Sequence, residues 1–110
     1  MEKKKLMLVD KRIISLLFQK GEVASSFPLL IYSIDSPSKK ILFSVPKKKV
    51  KKAVDRNRIK RQLKAIYFNL YSLKKGINSN KAVAFVYISS TKTSTAVLNE
   101  KMKKLIETLH

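Results

Sequence analysis

Residues 56–71 form the segment RNRIKRQLKAIYFNLY, which contains no acidic residue, no glycine and no proline. With helical steps of about 100° per residue, four apolar positions fall on one narrow stripe: Ile59, Leu63, Ile66 and Leu70. Roughly opposite this stripe lie Asn57, Arg61, Lys64 and Phe68, with Arg58 and Lys60 on its flanks. The pattern predicts an amphipathic helix from about Arg56 to Tyr71, with one face against a core and a basic face toward a partner.

A run of lysines precedes this helix. The window from Lys47 to Lys64 contains ten basic residues and one acid, out of 25 basic residues in a 110-residue chain of formal net charge +18. The single acid, Asp55, is expected to cap the helix, where a carboxylate favours the positive N-terminal pole. A solvated helix face normally pairs glutamates with lysines, and no acid occurs between Arg56 and Gly76. The charge therefore predicts a polyanionic partner, most simply a nucleic acid.

Further helices and strands are expected on both sides of this segment. Asp10 and Gly21 bound a first helix at residues 11–20, and a last helix is capped by Thr93, Ser94 or Thr95. Strands are predicted at residues 27–34, 41–45 and 82–88, with a short edge strand at 23–25 and a chain-reversing turn at 35–38. The last helix presents one apolar stripe, made of Leu98, Met102, Leu105, Ile106 and Leu109.

This order of elements predicts one domain over residues 1–110. The expected fold class is α+β, a single-domain α/β sandwich of order α-β-β-β-α-β-α with its helices packed on a small mixed sheet.

The composition excludes several kinds of chemistry. The chain has no cysteine, and its one histidine is the terminal His110, so zinc thiolate sites, cysteine nucleophiles and histidine-based triads are excluded. Its seven acids are scattered, which leaves no carboxylate cage for a two-metal nuclease and predicts that the protein alone binds no metal. The longest apolar runs fall far short of the roughly 20 residues that span a membrane. The basic and then apolar start, residues 1–9, is too short for a secretory signal, and a cysteine-free chain fits a reducing cytoplasm.

The basic hexapeptide that begins the predicted helix, residues 56–61, resembles the signature of the protein component of bacterial ribonuclease P. It is preceded by Ala53-Val54 and, further upstream, by Ser44-Val45-Pro46-Lys47-Lys48. The resemblance covers nearly the whole chain and is strongest from Phe43 to Tyr67. It implies a left-handed strand, helix, strand crossover, whereas general topology rules predict the opposite hand.

This resemblance implies a protein that assembles with a catalytic RNA to remove the 5′ leader of precursor tRNA by Mg²⁺-dependent hydrolysis. The protein would then be one subunit of an endoribonuclease whose chemistry comes from the RNA, with Mg²⁺ bound through that RNA. The expected partners are the ribonuclease P catalytic RNA and precursor tRNA, with no membrane and no obligate protein partner.

Two sets of residues are expected to bind the catalytic RNA. By matched position, the resemblance assigns this role to Arg56, Asn57, Arg58, Lys60 and Arg61. The charge pattern adds Lys47, Lys48, Lys49, Lys51, Lys52 and Lys64. Arginines bind phosphate oxygens bidentately and lysines act as flexible point charges, so the arginines should set geometry and the lysines affinity. Phe68, on the outward face, could stack on a base or pack under a neighbouring segment, and packing is the preferred interpretation.

The resemblance also implies a cleft between the first helix and the sheet that binds the single-stranded leader, with Phe18, Tyr32 and Ser44 at matching positions. Aromatic faces on a sheet can stack on unpaired bases with little sequence preference. The spacing of Phe18 from Ile14 is equally compatible with an ordinary core position. Sheet alternation groups Tyr32 with Leu30 and Ile34.

Three features depart from the family pattern. The lysine segment before the basic helix is a residue longer than usual. Ile14 replaces a residue that is commonly aromatic in the cleft. Ser89-Ser90, with Lys92 two residues on, replaces a strand end that is often basic.

The basic helix by itself leaves two other classes of function open. One is a non-catalytic RNA-binding module of the ribosome or of RNA folding. The other is a DNA-binding or membrane-surface basic protein. A positively charged helix suits these two classes as well as a ribonuclease P subunit. A preference for precursor tRNA over mature tRNA would distinguish the ribonuclease P subunit from the other RNA-binding module.

Overall fold

The fold, taken from a computed structural model, is described for residues 7–8, 10–73, 76–77 and 80–109. Within these residues the chain forms three helices and four strands in the predicted order α-β-β-β-α-β-α. In chain order the elements are α1 (Lys11–Lys20), β1 (Glu22–Ser26), β2 (Leu29–Asp35), β3 (Lys40–Ser44), α2 (Ala53–Ser72), β4 (Lys81–Tyr87) and α3 (Thr95–Glu107). The chain start at residues 1–6 and 9, and parts of the loop before β4, lie outside the described residues.

The strands form one mixed sheet in the spatial order β1-β2-β4-β3. β2 pairs antiparallel with β1 and with β4, whereas β3 pairs parallel with β4. The turn after β2 reverses the chain as predicted, but β4 lies between β2 and β3. Every β4 residue from Ala82 to Tyr87 is buried, which explains its central position, because a strand covered on both faces is apolar throughout.

β3, α2 and β4 form the expected crossover between two neighbouring parallel strands. Its left hand stays a prediction.

The sheet separates two apolar clusters. α2 and α3 cover one face, where the buried strand residues are Leu29, Ile31, Ile41, Phe43, Val83, Phe85 and Tyr87. α1 covers the other face through Leu17, which packs with Ala82, Ala84 and Val86. β4 supplies both clusters, because successive side chains of a strand point to opposite faces. α1 and the α2 basic residues therefore lie on opposite sides of the sheet.

Two of the three predicted helix starts are confirmed. Asp10 Oδ1 accepts a hydrogen bond from Arg12 N–H at the start of α1, and Ser94 Oγ accepts one from Val97 N–H at the start of α3. Gly21 ends α1 as predicted, and a Cβ there would lie 2.3 Å from the carbonyl oxygen of Leu17.

The predicted start of α2 was wrong by three residues. The helix begins at Ala53 with Lys52 as N-cap and no side-chain cap, and Arg56 N–H already donates to Lys52 O at 3.0 Å. Asp55 therefore lies in the first turn instead of capping it, and there its charge still favours the positive helix pole.

The predicted apolar stripes are confirmed. Leu63, Ile66 and Leu70 of α2 are buried and Ile59 is partly buried. In α3 the four stripe residues Leu98, Met102, Leu105 and Ile106 are buried, with Leu109 partly buried against them. Among the described residues, no helix combines the length and apolar character needed to cross a membrane.

Candidate nucleic-acid interface

The outward side of α2 carries the predicted cations, here called the α2 basic face and comprising Asn57, Arg58, Lys60, Arg61 and Lys64. Asn57, Arg58 and Arg61 are exposed, and Lys60 and Lys64 are partly exposed. Within the described part of the chain, no acid lies within 4.0 Å of Lys60, Arg61 or Lys64. The positive charge of this face is therefore largely uncompensated.

One acid does contact this face. Asp55 Oδ1 lies 3.1 Å from Arg58 Nη2, and their side chains are 41% and 52% exposed. An exposed pair one turn apart on a helix contributes little net energy, so a phosphate can displace the carboxylate at small cost. Arg58 remains accessible to an anionic partner.

The predicted lysine run forms a turn before α2, here called the lysine turn and comprising residues 47–52. Lys49 N–H and Val50 N–H both donate to Pro46 O, at 3.0 and 3.1 Å. Val50 packs against the core. The five lysines of the turn, Lys47, Lys48, Lys49, Lys51 and Lys52, are all exposed.

Arg56 connects the lysine turn to α2. Its Nη1 donates to Val50 O at 3.0 Å and to Lys51 O at 2.7 Å. Arg56 was predicted to contact RNA, and its hydrogen bonds to the lysine turn were not predicted. At least one terminal nitrogen of Arg56 therefore holds the lysine turn by hydrogen bonds to its backbone.

Phe68 packs, in agreement with the preferred interpretation. Its ring centroid lies 5.5 Å from that of Tyr67 in an edge-on arrangement, and the side chain is partly buried against the core. Tyr67 is fully buried and accepts a hydrogen bond from Ile77 N–H at its hydroxyl, 3.2 Å away. These contacts anchor α2 under its basic face.

The three residues assigned to the leader cleft share the α1 side of the sheet. Phe18 is 40% exposed, and its ring lies 4.8 Å from that of Tyr32, edge-on. Tyr32 pairs with Ala84 on β4, whereas Ser44 pairs with Val86. Because strands lie about 4.8 Å apart, Ser44 is two strands, or about 10 Å, across the sheet from Tyr32.

Both aromatic residues of the cleft keep part of their surface accessible. Phe18 belongs to the exposed apolar side chains and not to the core, and Tyr32 is partly buried with Leu30 and Ile34, as alternation predicted. Val23, on the neighbouring strand β1, pairs with Tyr32 and is 55% exposed. The position of Val23 beside the cleft was not predicted, because a lone valine in an edge strand carries no functional signal.

A concave surface lies between α2 and the loop that leads from β4 to the start of α3, and it is here called the α2–α3 groove. It has a volume of about 650 Å³. Its lining residues are Val50, Asp55, Arg58, Ile59, Arg61, Gln62, Tyr87, Ser90, Thr91, Lys92, Thr93 and Thr95. Apart from Arg58 and Arg61, none of these was predicted to bind a ligand, since a Ser- and Thr-rich segment after a strand is typical of any loop.

Ser89 is buried, in contrast to Ser90 and Lys92. Its hydroxyl oxygen accepts from Thr91 N–H at 3.1 Å and lies 3.0 Å from Thr91 Oγ1. Ser89 therefore helps to shape the loop after β4, whereas Ser90 and Lys92 line the groove.

Metal-binding side chains are not grouped in the described structure. Residues 7–8, 10–73, 76–77 and 80–109 contain no cluster of three His, Cys, Asp or Glu side chains that could hold an ion.

Comparison with known sequences identifies a family. The family model described as Ribonuclease P matches residues 2–110. A curated relative from Chlorobaculum tepidum, the "Ribonuclease P protein component", is 45% identical over 65 residues. That match covers 52% of this chain and 42% of the relative, so it spans less than half of the relative's length.

Solved structures share the fold. The RNase P protein from Thermotoga maritima is 16% identical with a TM-score of 0.80, over 94% of this chain and 97% of that chain. The RNase P protein from Staphylococcus aureus is 17% identical with a TM-score of 0.76, over 94% of each chain. At these identities the similarity shows a common architecture and does not assign residue roles.

Proposed function

The chain belongs to the Ribonuclease P protein family, and on that premise we propose that it acts as the protein subunit of ribonuclease P. In this proposal it binds the catalytic RNA and the 5′ leader of precursor tRNA, and it assists Mg²⁺-dependent endonucleolytic removal of the leader. The cytoplasm is the proposed location.

The observation that carries the proposal is the uncompensated charge of the α2 basic face and the lysine turn. Eleven candidate RNA-binding residues lie in one stretch of chain from Lys47 to Lys64, and all are at least partly exposed. Asp55 is the one described acid that pairs with any of them. A surface of this kind gains binding energy by releasing counterions from an RNA backbone.

The arginines and lysines have different proposed roles. Arg58 and Arg61 project from a helix that is anchored by buried Leu63 and Tyr67, so they can meet phosphate oxygens in a fixed geometry. The lysines of the turn are point charges on long side chains and would supply affinity with little directional preference. Arg56 would act mainly by holding that turn against the helix.

The leader is proposed to lie in the cleft of Phe18, Tyr32 and Ser44. The exposed part of Phe18 and the accessible part of Tyr32 offer aromatic surface for unpaired bases. The hydroxyl group of Ser44, about 10 Å across the sheet, can donate to a phosphate or sugar oxygen. These contacts would favour precursor tRNA over mature tRNA, because mature tRNA has no leader.

The chemistry is proposed to come from the RNA and its Mg²⁺ ions. The described residues provide no carboxylate cluster for the metal. The contribution of the protein would be to reduce phosphate repulsion between catalytic RNA and substrate and to position the leader. Both effects lower the Mg²⁺ concentration at which cleavage proceeds.

Reconstitution tests the proposal. The chain is combined with a bacterial ribonuclease P RNA, and cleavage of precursor tRNA is measured at a Mg²⁺ concentration too low for the RNA alone. We expect the chain to stimulate cleavage. The double variant Arg58→Ala/Arg61→Ala should stimulate cleavage less than the control Arg12→Ala does. Absence of stimulation at every protein concentration contradicts the proposal.

A further inference from the structure

We propose that the α2–α3 groove binds one unpaired nucleotide of RNA, with its base on the apolar floor and its phosphate on the cations of the rim. This inference rests on the proposed function and deepens it. It assigns a ligand class to residues outside the basic hexapeptide, chiefly Val50, Gln62, Tyr87 and Lys92.

The position of the groove in the fold favours an anionic ligand. It lies beyond the carboxyl ends of the neighbouring parallel strands β3 and β4, which is where open α/β sheets commonly bind ligands. The first turns of two helices also border it, through Asp55 of α2 and Thr95 of α3. The groove is therefore bordered by the N-terminal turns of two helices, which carry partial positive charge.

The rim carries three cations from two separate segments. Arg58 and Arg61 come from α2, and Lys92 comes from the loop after β4. Asp55 is the single acid among the lining residues, and it already accepts from Arg58 at 3.1 Å. Three positive charges against one negative charge suit a phosphate between the two walls.

The floor is apolar and the walls are polar. Val50 and Ile59 pack partly against the core, and Tyr87, which is fully buried, closes the inner end of the groove. Gln62 and the hydroxyl groups of the loop after β4 supply the polar walls. A base can rest on such a floor while its edge and ribose hydroxyls bond to the walls.

Hydrogen bonds hold the groove in shape without a ligand. Gln62 Nε2 donates to Thr95 Oγ1 at 2.8 Å, which joins α2 to the start of α3. The Tyr87 hydroxyl donates to Thr91 O and lies 2.9 Å from Thr93 Oγ1. Because the walls are preorganised, little conformational entropy is lost when a ligand binds.

The size of the groove is compatible with a single unpaired nucleotide. Its volume of about 650 Å³ lies within the range of about 300–1,000 Å³ that is usual for small-molecule sites. A base in a duplex is stacked and paired, so it cannot reach the floor.

The test uses the full ¹⁵N-labelled chain and three probes: uridine 5′-monophosphate, uridine and inorganic phosphate. We expect the nucleotide to shift amide signals of residues 58–62 and 90–95 saturably. Uridine lacks the phosphate group, and inorganic phosphate lacks the base and ribose. Each should bind roughly tenfold more weakly than the nucleotide, because the missing contacts are comparable in energy to one charge-assisted hydrogen bond. Equal affinity for phosphate and nucleotide, or shifts confined to the lysine turn, would overturn the inference.

Matched variants locate the site. Ser90→Trp fills the mouth of the groove without a change of charge, and Ser38→Trp places the same side chain in the exposed turn at the other end of β3. Lys92→Ala removes a rim charge and should weaken nucleotide binding roughly tenfold, whereas Lys39→Ala should not. If Ser90→Trp and Lys92→Ala both bind the nucleotide as the unchanged chain does, the groove is not its site.

The two proposals can fail separately. Cleavage of precursor tRNA by the reconstituted enzyme is measured with the same variants. If the unchanged chain does not stimulate cleavage, the proposed function is wrong. If the nucleotide does not shift the amide signals of the groove residues, this inference is wrong.

Discussion

Arg56 Nη1 lies 3.0 Å from Val50 O and also donates to the next carbonyl, Lys51 O, at 2.7 Å. A residue in the second turn of α2 thus binds the end of the lysine turn. The turn that carries five exposed lysines is thereby held to the start of α2, the helix that carries Arg58 and Arg61. The relationship links the fold of a loop to the proposed capture of RNA.

Removing the Arg56 side chain should loosen the lysine turn. Arg56→Ala is expected to lower the free energy of unfolding by about 1–3 kcal/mol, as loss of hydrogen bonds from a charged group does. Hydrogen exchange at the amides of Lys49 to Lys52 should become faster. Asn57→Ala, at the next and exposed position, is the control. Unchanged exchange in Arg56→Ala would show that the contact does not hold the turn.

Arg58 and Arg61 should contribute directly to affinity for the catalytic RNA. Arg58→Ala and Arg61→Ala are each expected to cost about 1–3 kcal/mol of binding free energy, measured by filter binding or fluorescence titration. Arg12→Ala removes the same charge from α1, on the opposite face of the sheet, and should cost much less. If both α2 variants bind as tightly as the unchanged chain, the RNA site lies elsewhere.

The cleft aromatics should discriminate between substrates. In the reconstituted enzyme, Phe18→Ala and Tyr32→Ala are each expected to weaken binding of leader-bearing precursor by roughly 1–3 kcal/mol, the range for one base stacked on an aromatic ring. Binding of mature tRNA should change little. Leu73→Ala, an exposed apolar residue at the end of α2, is the control. Equal losses on precursor and mature tRNA would remove the leader role from the cleft.

The stability of the protein should depend on the ionisation of Tyr67 at alkaline pH. Burial raises the pKa of Tyr67 above its usual 10.0, the neighbouring Tyr71 adds to this, and the hydrogen bond from Ile77 N–H opposes it. The folded state therefore binds the phenolic proton more tightly than the unfolded state does. The stabilisation that follows from this difference is fully present below about pH 10 and is lost as the pH rises through the raised pKa of Tyr67.

Comparison with Tyr67→Phe isolates that effect. The two chains share all lysines, so lysine deprotonation in the same range affects both. The stability advantage of tyrosine over phenylalanine, measured by urea unfolding, should hold up to about pH 10 and shrink over the range in which the pH rises from there through the raised pKa of Tyr67. A constant difference across this range would contradict the assignment.

Sequence periodicity predicted the helices well because each has one apolar stripe. Leu63, Ile66 and Leu70 could be assigned to the core from spacing alone, since a helix must bury the side on which such residues recur. The start of α2 was misplaced because Asp55 is equally suitable as an N-cap and as a first-turn acid. Backbone bonding to Lys52, which no sequence pattern displays, decides between them.

Sheet order and the groove could not be obtained from periodicity. The insertion of β4 between β2 and β3 depends on long-range pairing, which the alternation of residues within one strand does not specify. The groove arises where the loop after β4 approaches α2, through contacts such as Gln62 to Thr95, 33 residues apart. The exposure of the cations, in contrast, could be predicted from composition. Lysine and arginine are rarely buried without an acidic partner, and this chain has few acids.

The salt dependence of binding to the catalytic RNA tests electrostatic capture most directly. If six to eight phosphates are contacted, the logarithm of the binding constant should fall with the logarithm of the salt concentration with a slope of about −4 to −7. The double variant Arg58→Ala/Arg61→Ala should reduce the magnitude of that slope by about 1.5 to 2. A slope near zero, or an identical slope in the double variant, would contradict the account.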